Sequence, residues 1–378
     1  MVRKSPSVIR ASLFLLMSVM LIQCQNASKT PTLEPISAQE QPATRGSDAE
    51  IVAFLSDYLD GLAGNHNFSG VVLFARDESV LFHRAYGLAN RSYNVQNTTD
   101  TRFNLASVSK MFTAVAIAKL VEEGRLSYDD PIGVYLDTTW VSQEVGATVQ
   151  VRHLLNHTSG LGHYWDDWDN YANTIRELDD YRHLISDELA FEPGTDYQYS
   201  NSGYLLLGVI IEKVTGKTYY EYIQGVIFDQ CGMADTGFYE MDMPHPDLAT
   251  GYYEDEEEGG ELKNNTLFLG IRGSSAGGGW STAADVHRFL LALRSDILVS
   301  AETREILWTP KPMSPEYGYG FQIRDNWVGH WGGFTGFEAF VFYFPASDHT
   351  FIALSNYYDS ALPLIDRMDK WFQKLDQE

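Results

Sequence analysis

Strand-like apolar segments sit near both ends of this 378-residue chain, and a long stretch of helices and loops separates them. Residues 70–75 and 80–87 read as strands joined by a turn at Arg76-Asp77-Glu78. Residues 320–324, 327–331, 336–344 and 349–356 alternate like antiparallel strands. A period of two puts every second side chain on one face of a sheet. Residues 51–62 read as an amphipathic helix, and 362–375 as a last helix packed on the sheet beside the first. The middle, roughly 107–300, reads as helices and long loops. The expectation is an α/β (α+β) chain. One antiparallel sheet is built from both chain ends and flanked by terminal helices, with a mostly helical region inserted. Residue 107 falls at the junction, where pockets tend to form.

At that junction Phe103-Asn104-Leu105-Ala106 leads into Ser107-Val108-Ser109-Lys110 and a helix-forming run at 111–123. A serine and a lysine three apart share a helix face. The amine can then take the hydroxyl's proton or hold a base that does. The helix N-terminus also favours the negative charge of an attacking alkoxide. Alone, the tetrad reads as well as an N-capping serine with an exposed lysine. Tyr199-Ser200-Asn201 follows a Pro193-Gly194 turn, on a loop ahead of a helical run at 204–214. A phenol titrates near about 10, but a neighbouring ammonium makes its ionised form less costly. It can then shuttle a proton between serine and leaving group; the plainer reading is a packed tyrosine. His330-Trp331-Gly332-Gly333 lies among the aromatic strands. Its glycines let a substrate lie against the backbone and leave an N–H to face a developing oxyanion. A lone histidine there reads as structural.

Taken together and in this order, the three motifs resemble the penicillin-recognising serine hydrolases. The branch is that of class C β-lactamases, D-Ala-D-Ala carboxypeptidases and esterases, where S-x-x-K is followed by Y-x-N and then by Lys or His with x-Gly. The resemblance includes residues 120–131, 154–160, 277–285 and 354–356, and spans residues 48–378. It implies a β-lactamase/transpeptidase-like fold and a serine hydrolase that forms an acyl-enzyme. Ser107 would be the nucleophile, and Lys110 and Tyr199 would share the base role. Asn201 would bind the substrate amide or orient Lys110, and the N–H groups of Ser107 and Gly333 would form the oxyanion hole. His330 stands where many relatives carry lysine, and a neutral imidazole attracts a substrate carboxylate less than an ammonium does. Trp331, Phe334 and Phe337 are expected to make that side of the cleft aromatic. The expected substrate is a small ester or a D-amino-acid peptide ahead of a β-lactam, with no cofactor and no metal. The other class of reading is a non-catalytic descendant that binds peptidoglycan fragments or a protein partner; intact Ser107, Lys110, Tyr199 and His330 favour the enzyme.

Other constellations compete. Gly273-Ser274-Ser275-Ala276-Gly277 fits a G-x-S-x-G nucleophile elbow, after a strand-like run at 267–271 and before a helix capped by Thr282 with Asp285 three residues on. Gly277-Gly278-Gly279-Trp280 separates that serine from the helix, whereas an elbow needs the helix at once. Asp325 and His330 would have to complete its triad. His157-Thr158-Ser159-Gly160 reads as a structural turn. His163 with Asp166, Asp167 and Asp169 lacks the i, i+4 spacing of a helical metal pair and reads as a solvated loop facing the substrate. The charge run at 254–258 reads as a mobile surface loop.

Arg3, Lys4 and Arg10 precede an apolar run at 11–22 that is short for a membrane span and ends at Cys24. Residues 1–24 therefore read as an export signal of the lipoprotein type with Cys24 lipidated, although Gln23 departs from the small residue usual there. The location implied is a bacterial periplasm or a lipid-anchored place at the outer membrane, the alternative being a soluble secreted protein. Residues 25–47, rich in Ser, Thr, Pro and Gln, read as a linker to a domain at 48–378. Beyond the signal only Cys231 remains, so the mature chain has no intrachain disulfide and its core must hold it. A net charge of −24 argues against nucleic acid or an anionic membrane face as partner.

Overall fold

The computed structural model describes residues 47–64, 67–255 and 260–375. Along the chain come helix α1 (Asp48–Gly64), strands β1 (Gly70–Arg76) and β2 (Ser79–Tyr86), and helices α2 (Lys110–Glu122), α3 (Asn201–Thr215) and α4 (Ala283–Arg294). Strands β3 (Gln322–Ile323), β4 (Val328–Phe334), β5 (Phe337–Phe344) and β6 (His349–Ser355) follow, then helix α5 (Leu362–Leu375). The strands form one sheet in the order β2-β1-β6-β5-β4-β3. All neighbours are antiparallel, and β1 pairs with β6 from Gly70 opposite Ser355 to Arg76 opposite His349. Both chain ends thus supply the sheet, as the alternating segments predict.

The period of two sorts the sheet's side chains into two cores. Val71, Leu73, Val341, Ile352 and Leu354 face the inserted helical body. Val72, Phe74, Phe342, Phe351 and Ala353 meet Ile51, Leu55 and Leu59 of α1 and Leu364 and Met368 of α5. Each such side chain contributes about 1.5–3 kcal/mol on burial, and a one-residue slip would exchange the two sets. The terminal helices touch each other as well, with the Phe54 and Trp371 rings 5.4 Å apart. Helix α2 runs through the larger core, and every residue from Lys110 to Ala118 is buried. Its lysine therefore carries an amine into the core.

Three local expectations change. Residues 267–271 form no strand: the Phe268 and Leu269 amides turn back to Asn265 O, Ile271 N–H goes to Ala172 O, and Leu267 is 90% exposed. The run is apolar without alternation or a strand partner. Strand β4 runs through both glycines to Phe334. Glu254 and Asp255 lie in a strand, Tyr252–Asp255, paired with Glu261–Asn264, while residues 256–259 lie outside the described residues. The signal with Cys24, and residues 25–46 of the linker, also lie outside them. The cap on α4 is as expected, with Thr282 Oγ1 accepting the Asp285 N–H at 3.1 Å.

Candidate active site

Ser107 sits on a single 3-10 turn, Ala106–Ser109, ahead of α2. Ala106 holds a left-handed φ of 45°, a strained conformation for a residue with a side chain. Two glycine segments brace this turn. From one side, Gly278 N–H donates to Ala106 O at 3.2 Å, Gly279 N–H donates to Ser109 Oγ at 3.1 Å, and Leu105 N–H donates to Gly279 O at 2.7 Å. From the other side comes β4. A Cβ on Gly332 would lie 2.5 Å from Leu105 O and 2.7 Å from Ser107 N. Only glycine lets the strand approach the Ser107 backbone so closely. Ser107 itself stays partly exposed while its neighbours are buried.

Lys110 is fully buried, and its Nζ donates to three neutral acceptors. These are Ser107 Oγ at 3.2 Å, Asn201 Oδ1 at 2.7 Å and Ala276 O at 2.5 Å. Burial lowers its pKa well below the usual lysine value. The Nζ also lies 4.8 Å from the centre of the Tyr199 ring. Asn201 opens α3, its N–H directed at His163 Nδ1 at 3.3 Å, and Ser200 Oγ caps the helix by accepting the Gly203 N–H at 2.9 Å. Asn201 Oδ1 thus holds the Lys110 amine from the start of α3.

Tyr199 departs from the expected electrostatics. The residue is partly exposed, but its hydroxyl is buried and makes no hydrogen bond of ordinary geometry among the described residues. Burial raises its pKa, and the nearby Ser107 hydroxyl only partly offsets that. The lysine amine packs against the ring and makes no hydrogen bond to its oxygen, so the phenol stays protonated.

His330 is buried on β4 with both ring nitrogens engaged. Nδ1 donates to Trp331 O at 2.5 Å, so Nε2 must accept, and the Tyr317 hydroxyl donates to it at 2.9 Å. Burial, aided by the nearby Lys110 charge, lowers its pKa to about 3. The imidazole is neutral and has no nitrogen left for a substrate. Gly333 is better placed. The Trp331 N–H points away from β5 and is taken by Gln322 Oε1 at 3.1 Å. By strand alternation the Gly333 N–H points to the same open edge.

The expected aromatic wall is only partly present. Phe334 is partly exposed and faces the site side of β4. Trp331 stands on the opposite face and stacks with Phe340 at 6.4 Å. Phe337 is core, packed edge-on against Trp280 at 5.3 Å. The true companion of Phe334 is Trp165, 6.4 Å away, which stands 5.0 Å from Trp168.

The rival elbow serine, Ser275, is fully buried and donates to Leu205 O at 3.3 Å. Its motif instead supplies the Ala276 carbonyl that holds Lys110, a role with no signature in the sequence. The side chains of Asp166, Asp167 and Asp169 lie outside the described residues.

The Beta-lactamase family matches residues 55–369. Penicillin-binding protein 4* of Bacillus subtilis (strain 168) is 32% identical over 328 residues, covering 80% of this chain and 71% of that protein. A penicillin binding protein from Bacillus halodurans superposes with a TM-score of 0.76 at 31% identity, over 83% of this chain and 99% of that one. A D-amino acid amidase from Ochrobactrum anthropi SV3 shares the fold, with a TM-score of 0.72 at 22% identity over 86% of this chain and 98% of its own.

Proposed function

The chain belongs to the Beta-lactamase family, whose fold and serine-hydrolase chemistry it shares, and from that premise we propose that Ser107 is acylated by small esters or D-configured amides. The observation that carries this reading is the 3.2 Å contact between Ser107 Oγ and a buried lysine with no carboxylate among its hydrogen-bond acceptors. An amine with a lowered pKa is neutral more of the time, so Lys110 takes the serine proton as the alkoxide attacks the carbonyl carbon. The tetrahedral oxyanion lies between the N–H groups of Ser107 and Gly333. Tyr199, protonated and beside Ser107, gives its proton to the departing alcohol or amine, and the Lys110 ammonium returns to the phenolate the proton it took from Ser107. The phenol is thus the acid and the lysine the base, a division finer than a shared base role. Water then repeats the sequence on the acyl-enzyme.

The substrate preference follows from His330. A neutral imidazole with both nitrogens occupied offers no cation and no free donor to a substrate carboxylate. Phe334 and Trp165 offer apolar contact to an uncharged acyl group instead. Intact-protein mass spectrometry after incubation with an activated short-chain ester, a D-Ala-D-Ala peptide and a penicillin tests the reading. An adduct on Ser107 that Ser107→Ala abolishes is expected, most readily from the ester. An adduct on Ser275, or none with any of the three, would overturn it.

Export with lipid attachment at Cys24 belongs to the same proposal. It is supported by the basic start, the apolar run and the cysteine directly after it. Wild-type protein should partition with membranes and Cys24→Ser should not; unlipidated mature protein in the medium would refute it.

A further inference from the structure

His157 belongs to a segment that reads as a plain turn, yet it bears two costs that a plain turn does not require. Its φ is +61°, a left-handed conformation that is strained for a bulky side chain. Its ring is fully buried with one nitrogen unpaired. Nδ1 accepts the Ser200 N–H at 3.0 Å, so in the neutral ring the proton sits on Nε2. That N–H has no partner among the described residues. Burial, with Lys110, His330 and His163 nearby, keeps the ring neutral. A buried unsatisfied donor beside a strained backbone calls for an explanation other than stability.

The explanation lies in what His157 touches. Its carbonyl accepts the Gln198 N–H at 2.9 Å, and its Nδ1 accepts the Ser200 N–H. The two amides that flank Tyr199 are thus both held by this one residue. Between them the imidazole packs against the Tyr199 ring, 4.1 Å between centroids and tilted by 36°. The left-handed φ lets one residue present its carbonyl and its ring to the same short segment. The ring also meets Tyr317, at 4.6 Å, the residue that donates to His330.

We infer that His157 is a positioning residue for Tyr199, fixing the phenol's oxygen against Ser107 through the backbone on both sides and the ring beneath. The inference rests on the role proposed for Tyr199 and adds the residue that makes that role geometrically possible. His157 touches no reacting atom. A phenol must be aimed within a few tenths of an ångström for proton transfer. A loop tyrosine with an otherwise unbonded hydroxyl does not aim itself.

The test is a double-mutant cycle read by steady-state hydrolysis of an activated ester, with active-site titration to count folded enzyme. His157→Phe keeps a ring but removes the Nδ1 acceptor. It should lower kcat about tenfold or more with little change in KM. His157→Asn tolerates the left-handed backbone and places Oδ1 where Nδ1 stands, so it should recover most of the loss. In a Tyr199→Phe background, His157→Phe should cost less than about twofold, because the group it aims is gone. Equal costs in both backgrounds, or an Asn variant as impaired as the Phe variant, would overturn the inference while leaving Tyr199's role intact. If Tyr199→Phe alone left kcat unchanged, the proposed role of Tyr199 would fail instead. Should His157→Phe not fold, His157→Gly, which removes the acceptor and relieves the left-handed backbone, takes its place in the same cycle with the same outcomes.

Discussion

Gly332→Ala puts the approach of β4 to the nucleophile under a direct test. The new methyl would meet Leu105 O at 2.5 Å, Ser107 N at 2.7 Å and Val108 N at 3.0 Å, all backbone atoms that cannot swing aside. Carbon and oxygen reach comfortable contact near about 3.5 Å, so strand and turn must part by roughly 1 Å. Part of the penalty appears as lost stability, about 1–3 kcal/mol for overpacking a tight site, or a few degrees of Tm in a domain of this size. The rest appears in the chemistry. A displacement of roughly 1 Å between nucleophile and oxyanion donors costs on the order of a hundredfold in rate, about 2.7 kcal/mol of barrier. Stopped-flow acylation by an activated ester, corrected for folded fraction, separates the two. The expected result is a folded protein, slightly less heat-stable, acylated about a hundredfold more slowly. Wild-type acylation in a folded Gly332→Ala protein would mean that the oxyanion site does not depend on this contact.

Three more outcomes are expected. Acylation should rise with pH through the lowered pKa of Lys110 and level off below the ordinary lysine range. Asn201→Asp puts a carboxylate where Lys110 Nζ now has an amide oxygen at 2.7 Å and should move that rise to higher pH; an unmoved profile would count against Lys110 as the base. His330→Lys adds a second ammonium near the first and should lower Tm and move the same rise to lower pH, since like charge favours the neutral amine; unchanged Tm and profile would show that the new side chain reaches solvent. Buried Glu338 accepts the Ala361 N–H at the head of α5 at 3.0 Å, and burial raises its pKa from 4.5 to about 7. Its stabilising contribution is full below pH 4.5 and lost as pH rises through about 7. The Tm of the wild type should therefore fall relative to Glu338→Gln over that window, and parallel Tm curves would refute the shift.

The sheet was legible because strand character is a local property, and each of β1, β2, β5 and β6 carries an apolar, β-branched or aromatic run within seven or eight residues. Ser107, Lys110, Tyr199 and His330 were legible because short motifs keep their spacing. Contacts between distant segments were not. Lys110 and Ala276 are 166 residues apart, and the contact uses a backbone carbonyl that any residue could supply. Tyr317 and His157 matter through burial and ring contacts, which a composition rich in tyrosine conceals. The aromatic wall was misjudged for a related reason. Trp331, Phe334 and Phe337 look equivalent in sequence, but the period of two sends Trp331 to the far face, and Phe337 falls in the packed core.

The pairing of β1 with β6 has a consequence for how the domain acquires its shape. Ser69 and Asn356, hydrogen-bonded at 2.7 Å at one end of this pairing, are 287 residues apart. Closing so long a loop costs about 5 kcal/mol in chain entropy beyond a constant. That entropy is lost before most contacts of the two cores can form. Until β6 arrives, the β1–β2 hairpin offers an open edge of unpaired amides, and a lone hairpin is marginal in water. Synthesis delivers the two strands to the folding chain at opposite ends of the process. The hairpin must wait for nearly the whole domain to be made, its exposed edge free to pair with other chains. Assembly of the nucleophile's turn, which β4 and the glycine run brace from two sides, belongs to the last moments of that wait.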